Sequence, residues 1–239
     1  MNQYTSIRDQ VEYGLDTIER GRETKVSLRA LLYVYKSLQE FERFFRASTF
    51  PRSLRCVERF ILQPNGADDL ITVVYYGLLD NALPEDINKA FDGTRFEHPN
   101  HPFFFAPEEG DPWRPRRPVI DAGATWDGAS PKDRVEFALE SVPAERTVEV
   151  SLRSIMFVFK LFEQLNSFFH QPLHYPDLES VRRFFAGPDG AYQLTREALE
   201  EHIRPALPRD ILESLDAGRF DHPESRPPTE AHEVETGQE

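Results

Sequence analysis

Residues 26–99 align without a gap on residues 150–223, an offset of 124 positions, and about a third of the paired residues are identical. The match opens with Val26-Ser27-Leu28-Arg29 against Val150-Ser151-Leu152-Arg153. It closes with Arg95-Phe96 and His98-Pro99 against Arg219-Phe220 and His222-Pro223. A weaker extension upstream sets Val11, Glu12, Leu15 and Arg22 opposite Val135, Glu136, Leu139 and Arg146. Two copies are too few for a solenoid, whose units bury their faces only by stacking on several neighbours. A period of this length instead suits two units that each hold enough residues for a core. The expected organisation is a helical repeat over 1–99, a proline and aromatic linker over 100–130, a second helical repeat over 131–223 and an acidic disordered tail over 224–239.

Within each copy the apolar spacing is that of helices, so the expected fold class is all-α, a tandem duplication of a bundle of about five helices. Ile7, Val11, Leu15 and Ile18 recur three and four apart, which predicts a first amphipathic helix ending near Gly21. Ser27 is a good N-cap for a second helix, LRALLYVYKSLQEFERFF, apolar on nearly every side between Leu31 and Tyr35 and therefore central. A third follows Pro51 with Ser53 as its cap, and the turn Pro64-Asn65-Gly66 separates it from a fourth that begins near Asp68. Pro84, suited to a first helical turn, opens a short fifth. The alternative for Thr147–Leu152 (TVEVSL) and its counterpart is a strand, because apolar and polar residues alternate there.

The linker carries Phe103, Phe104, Phe105, Trp113 and Trp126, more aromatic surface than a spacer needs. These rings are expected to dock on one or both copies and set their orientation, or else to form a segment that docks on another protein. The single cysteine, Cys56, excludes an intramolecular disulfide and fits a reducing, cytoplasmic setting. No apolar run approaches the ~20 residues a membrane span needs, and the polar start MNQYTSIRDQ does not read as a signal peptide. A formal net charge of −13 argues against direct nucleic-acid binding, which draws its affinity from Lys and Arg displacing phosphate counterions.

Three sets of residues are candidates for function. Arg29 and Lys36 recur as Arg153 and Lys160, seven apart on one face of the most apolar helix; the expectation is an internal ion pair with Glu12 or Glu136, the alternative a basic notch for an anion. Asp92, Arg95 and His98 recur as Asp216, Arg219 and His222 in the pattern D-x-x-R-F-[ED]-H-P. The ordinary reading is a local Asp–Arg pair at a helix end followed by an exit turn; acid–base chemistry is the alternative, with no nucleophile to serve. Third, Ile71, Val73 and Tyr76 stand where the second copy has Thr195, Glu197 and Glu200, so they are expected to be covered by the linker, the other copy, a partner or a homodimer contact.

No catalytic, cofactor or metal motif emerges. His170 and His174 have a metal-ligand spacing, but Pro172 breaks a helix between them, and neither a glycine-rich phosphate loop nor a nucleophile elbow occurs. The function expected is thus a noncatalytic cytoplasmic protein-binding module, of adaptor, inhibitor or immunity type, without a cofactor. The alternatives are a small-molecule or enzymatic pocket lined by residues such as Tyr33, Tyr35 and Tyr76, and an acidic mimic of a polyanion.

Overall fold

The computed structural model describes residues 6–46, 60, 64–79, 82–92, 96, 130–140, 142–170 and 189–223. Its elements in chain order are α1 (Ile7–Glu12), β1 (Glu23–Ser27), α2 (Leu28–Arg46), α3 (Ala67–Thr72), α4 (Glu85–Asp92), α5 (Pro131–Glu140), β2 (Thr147–Ser151), α6 (Leu152–His170), α7 (Ala191–Glu197) and α8 (Arg209–Asp216). The fold is mostly α-helical, as expected, with a small two-stranded sheet where a strand over Thr147–Leu152 and its counterpart was the alternative. The expected third helix after Pro51, the linker rings Phe103, Phe104, Phe105, Trp113 and Trp126, and the acidic tail lie outside the described residues.

Local chemistry starts the first helix of each half in the same way. The Ser6 hydroxyl accepts from the Asp9 amide at 3.1 Å while the Asp9 carboxylate accepts from the Ser6 amide at 3.1 Å. Ser130 and Asp133 repeat this reciprocal cap at 3.1 and 2.9 Å. Two donors that a helix start leaves without partners are thereby satisfied. α1 is shorter than the spacing predicts because Gly14 turns left-handed at φ 78°, and the chain goes on through a 3-10 turn over Leu15–Thr17. A Cβ on Gly14 would sit 2.9 Å from the Phe220 ring and 3.2 Å from the Arg219 carbonyl, so this turn is also a close approach of the two halves.

Ser27 is the last residue of β1 and directly precedes α2. That strand pairs antiparallel with β2, and the register sets Glu23 opposite Ser151, Lys25 opposite Glu149, and Ser27 opposite Thr147. Lys25 thus faces the residue 124 positions further on, its own counterpart in the sequence match. The alternating pattern of TVEVS is what a half-buried strand requires, with Val26 and Val150 turned into the core. The helical expectation lost here because the decisive partner is a strand 124 residues away, which no local window contains.

Antiparallel pairing has a geometric consequence. The start of β1 adjoins the end of β2, so whatever precedes one strand lies beside whatever follows the other. The Leu152 amide donates to the Arg22 carbonyl and the Leu28 amide to the Arg146 carbonyl, both at 2.8 Å. α1 accordingly packs on α6, and α5 packs on α2. The first helix of each half lies on the long helix of the other.

The halves share one core. Its buried residues form a single cluster drawn from α1 through α8, rather than one cluster for each half. Aromatic rings bridge the halves: Phe41 lies 5.1 Å from Phe169 and 6.3 Å from Phe162, and Phe60 stacks on Phe168 at 4.2 Å. Matched ion pairs hold the rim. Arg22 grips Asp210 with two bonds of 2.7 Å, and Arg146 grips Asp86 at 2.6 and 2.7 Å, each pair joining one half to the other.

Candidate functional site

The two halves differ most at the helices that follow the glycine turns. α3 widens into a π-helix over Val73–Leu79, and α7 widens into one over Ala198–Ile203, at corresponding places. Such widenings are rare and often mark functional positions. The Asn65 amide donates to the Asp69 carboxylate at 2.8 Å, holding the turn ahead of α3 with Asn65 in a left-handed conformation at φ 60°.

Burial divides the three positions expected to be covered. Ile71 is buried in the core, but Val73 is 38 % exposed and Tyr76 is 60 % exposed. Glu197, the counterpart of Val73, is only 6 % exposed. The apolar residue faces out while its charged twin faces in, so equivalent positions do not have equivalent surroundings. Tyr76 meets Tyr75 edge-on at 5.0 Å, and Tyr75 in turn stacks on Tyr35 at 4.2 Å, so the exposed ring stands on a rigid buried base.

The inversion has a local cause. Glu197 accepts from the Tyr33 hydroxyl, the Lys132 ammonium and the Gln193 amide, each at 2.6 Å. Burial pushes this carboxyl up, but the bonds from Lys132, Tyr33 and Gln193 outweigh it and hold the group below the usual carboxylate range. Burial and the adjacent Glu197 push the Tyr33 phenol well above its ordinary value, so it stays a donor. His202 lies against the Tyr33 ring at 4.1 Å, and burial lowers its pKa despite the Glu201 and Glu197 charges. In the other half these places are held by Phe157, Arg8, Asp69 and Leu78, and Arg8 pairs with Glu12 on its own helix at 2.8 Å. The Glu197 cluster ties α2 to α5 and α7 and acts as a latch between the halves.

Of the repeated cations the two lysines turn inward, and the partners described for the set are not Glu12 and Glu136. The Arg29 guanidinium donates to the Val142 carbonyl at 2.6 Å, and Arg153 pairs with Asp16. Lys36 is 1 % exposed and bonds Gln39; Lys160 reaches Glu163 at 3.0 Å and Asp221 at 3.5 Å. Glu12 and Glu136 are instead engaged by Arg8 and Lys132 one helical turn away. Arg95 and His98 lie outside the described residues. In the second half Asp216 pairs with Arg204 at 2.7 Å rather than with Arg219, which is exposed. His222 meets Tyr13 of the first half edge-on at 5.1 Å. The D-x-x-R-F-D-H-P segment therefore packs across the halves, with Phe220 in the core.

Sequence reasoning passed over two of the most deeply buried charges. Arg134 on α5 bonds Glu40 on α2 at 2.6 and 2.9 Å, and both side chains are 1 % exposed. The available signal was that Glu40 falls on an apolar stripe of α2. The reciprocal Arg22–Asp210 and Arg146–Asp86 pairs had one as well, since both charges recur at the 124-residue offset.

A cavity of about 10 Å³ lies between α2 and α6, lined by Leu31, Val34, Ile155, Val158 and His202; it has room for one water molecule and no larger ligand. Tyr33 and Tyr35 are core residues while Tyr76 is on the surface, so the three do not line a common pocket. Among the described residues no group of three or more His, Cys, Asp and Glu side chains could hold a metal ion, and no helix is long and apolar enough to cross a membrane. The chain matches no family model, and comparisons with curated proteins and with solved structures find no match.

Proposed function

We propose that the chain is a tandem duplication folded as an intramolecular pseudo-dimer, and that it works as a noncatalytic cytoplasmic protein-binding module. The observation that carries this reading is the exposed apolar pair Val73 and Tyr76 on the widened turn after α3. Large aromatic and aliphatic side chains braced from below are what protein interfaces use as anchors. The equivalent place on α7 is polar on its surface, with Glu200 and Glu201 exposed, so among the described residues the second half does not repeat this face. The side chains with acid–base potential support a binding role too: Glu197, Lys132 and Tyr33 satisfy one another inside the fold.

A photo-crosslinking residue placed at Tyr76 or at Glu200 of the full chain, in the cells that produce it, tests the proposal. Adducts with a defined protein should form from position 76 and not from position 200. They should be lost when Val73→Glu is added. Equal labelling from both positions, or none from either, overturns the reading.

A further inference from the structure

The contacts that join the halves fall into two kinds, which have different consequences. Arg22–Asp210 and Arg146–Asp86 are mirror images, an arginine of one half and an aspartate of the other. Two first halves would form the same contact as Arg22 with Asp86, and two second halves as Arg146 with Asp210. These pairs set the geometry of association but do not identify the partner.

Three other contacts lack this symmetry. Glu40 and Arg134 make a fully buried ion pair, whereas the mirrored positions are Gln164 and Gln10, a pair of neutral amides. Lys25 faces Glu149 at the centre of the two-stranded sheet. The Tyr33 hydroxyl reaches Glu197, whereas the mirrored positions are Phe157 and Val73. Two first halves joined by the same geometry would set each buried Glu40 against Gln10, and Lys25 against Lys25. Two second halves would set each buried Arg134 against Gln164, Glu149 against Glu149, and Glu197 against Phe157. A self-pair of either kind therefore loses the compensation of a buried charge twice, which is strongly unfavourable, and gains an exposed like-charge contact on the sheet, a smaller cost.

We infer that the surface between the halves is a heterotypic recognition surface: the first half takes the second half as its partner and rejects a copy of itself. This partner is defined by chemistry, a buried guanidinium and a strand carboxylate offered to a buried carboxylate and a strand ammonium. The inference rests on the correspondence between the halves and not on the apolar face at Val73 and Tyr76.

The test starts from the full chain with a site-specific protease sequence inserted after Gly110, in the segment between the halves. The folded protein is cut, unfolded in urea, refolded by dilution and read by native mass spectrometry, where the three pairings differ in mass. Mixed pairs should exceed either self-pair by about a hundredfold or more, the factor a single uncompensated buried charge supplies. Mixed and self-pairs in statistical proportion overturn the inference. So does failure of the fragments to reassociate under conditions where the uncut chain refolds. A second cut protein carrying Glu40→Gln, Arg134→Gln, Lys25→Gln and Glu149→Gln keeps the symmetric arginine–aspartate pairs. It should form self-pairs at least tenfold more abundantly, whereas undiminished preference for the mixed pair overturns the assignment to these charges.

Discussion

Among the described titratable side chains of the interior, the Arg134–Glu40 pair and His202 make different demands on the fold. Arg134 and Glu40 compensate one another with almost no solvent contact, so removing one partner leaves the other as a buried unpaired charge. Arg134→Gln should cost about 3–5 kcal/mol in urea unfolding. Glu40→Gln combined with it should cost less than either single change, because the mirrored glutamines show that the fold accepts neutral amides there. His202 makes the second demand. Burial against Tyr33 favours its neutral form, so the unfolded chain takes a proton near the ordinary value of 6.5 and the folded chain only at lower pH. The histidine's contribution is therefore fully present above pH 6.5 and is lost as pH falls from there through the depressed folded value. Replacing His202 by Phe should flatten the decline in urea midpoint between about pH 7.5 and 5.5. An unchanged slope would show that other groups govern it.

At the scale of elements, the short strands are the most informative. Two isolated five-residue strands have little stability of their own. β1 and β2 persist because each runs directly into a long helix of the core, and because Val26 and Val150 are buried beneath them. The sheet can open only if the halves part. Backbone amides within Glu23–Ser27 and Thr147–Ser151 that bond across the sheet should thus exchange with solvent as slowly as the central amides of α2 and α6. Fast exchange in the strands beside slow exchange in the helices would show that the sheet opens separately. The π-helical segments point the other way: their surface residues differ between the halves while buried ones at matching positions, such as Val74 and Ala198, stay apolar.

The whole molecule is governed by exchange of the first helices. With α1 on α6 and α5 on α2, neither half encloses a core without the other. Thermal unfolding should accordingly be one transition, with equal calorimetric and van't Hoff enthalpies. Two resolved transitions, each carrying about half the enthalpy, would mean that the halves fold as separate bundles. The same architecture makes each long helix answer to residues from the other half, so a substitution on α5 acts on α2 as directly as one on α2 itself.

Helical content, the order of the elements after each glycine turn and the 124-residue correspondence follow from the chain alone, because periodicity, caps and identity are local or can be read by sliding the sequence on itself. That Lys36 and Lys160 turn inward is foreshadowed by their setting in apolar helices. What tertiary structure decided is the pairing of β1 with β2, the crossing of the first helices, and the inversion that leaves Val73 outside and draws Glu197 in. The physical reason is common to all three. Each depends on a partner supplied from the opposite half: a strand edge, a helix face, or the phenol of Tyr33 aimed at a carboxylate. The energy of such a contact resides in the encounter and not in either stretch of chain.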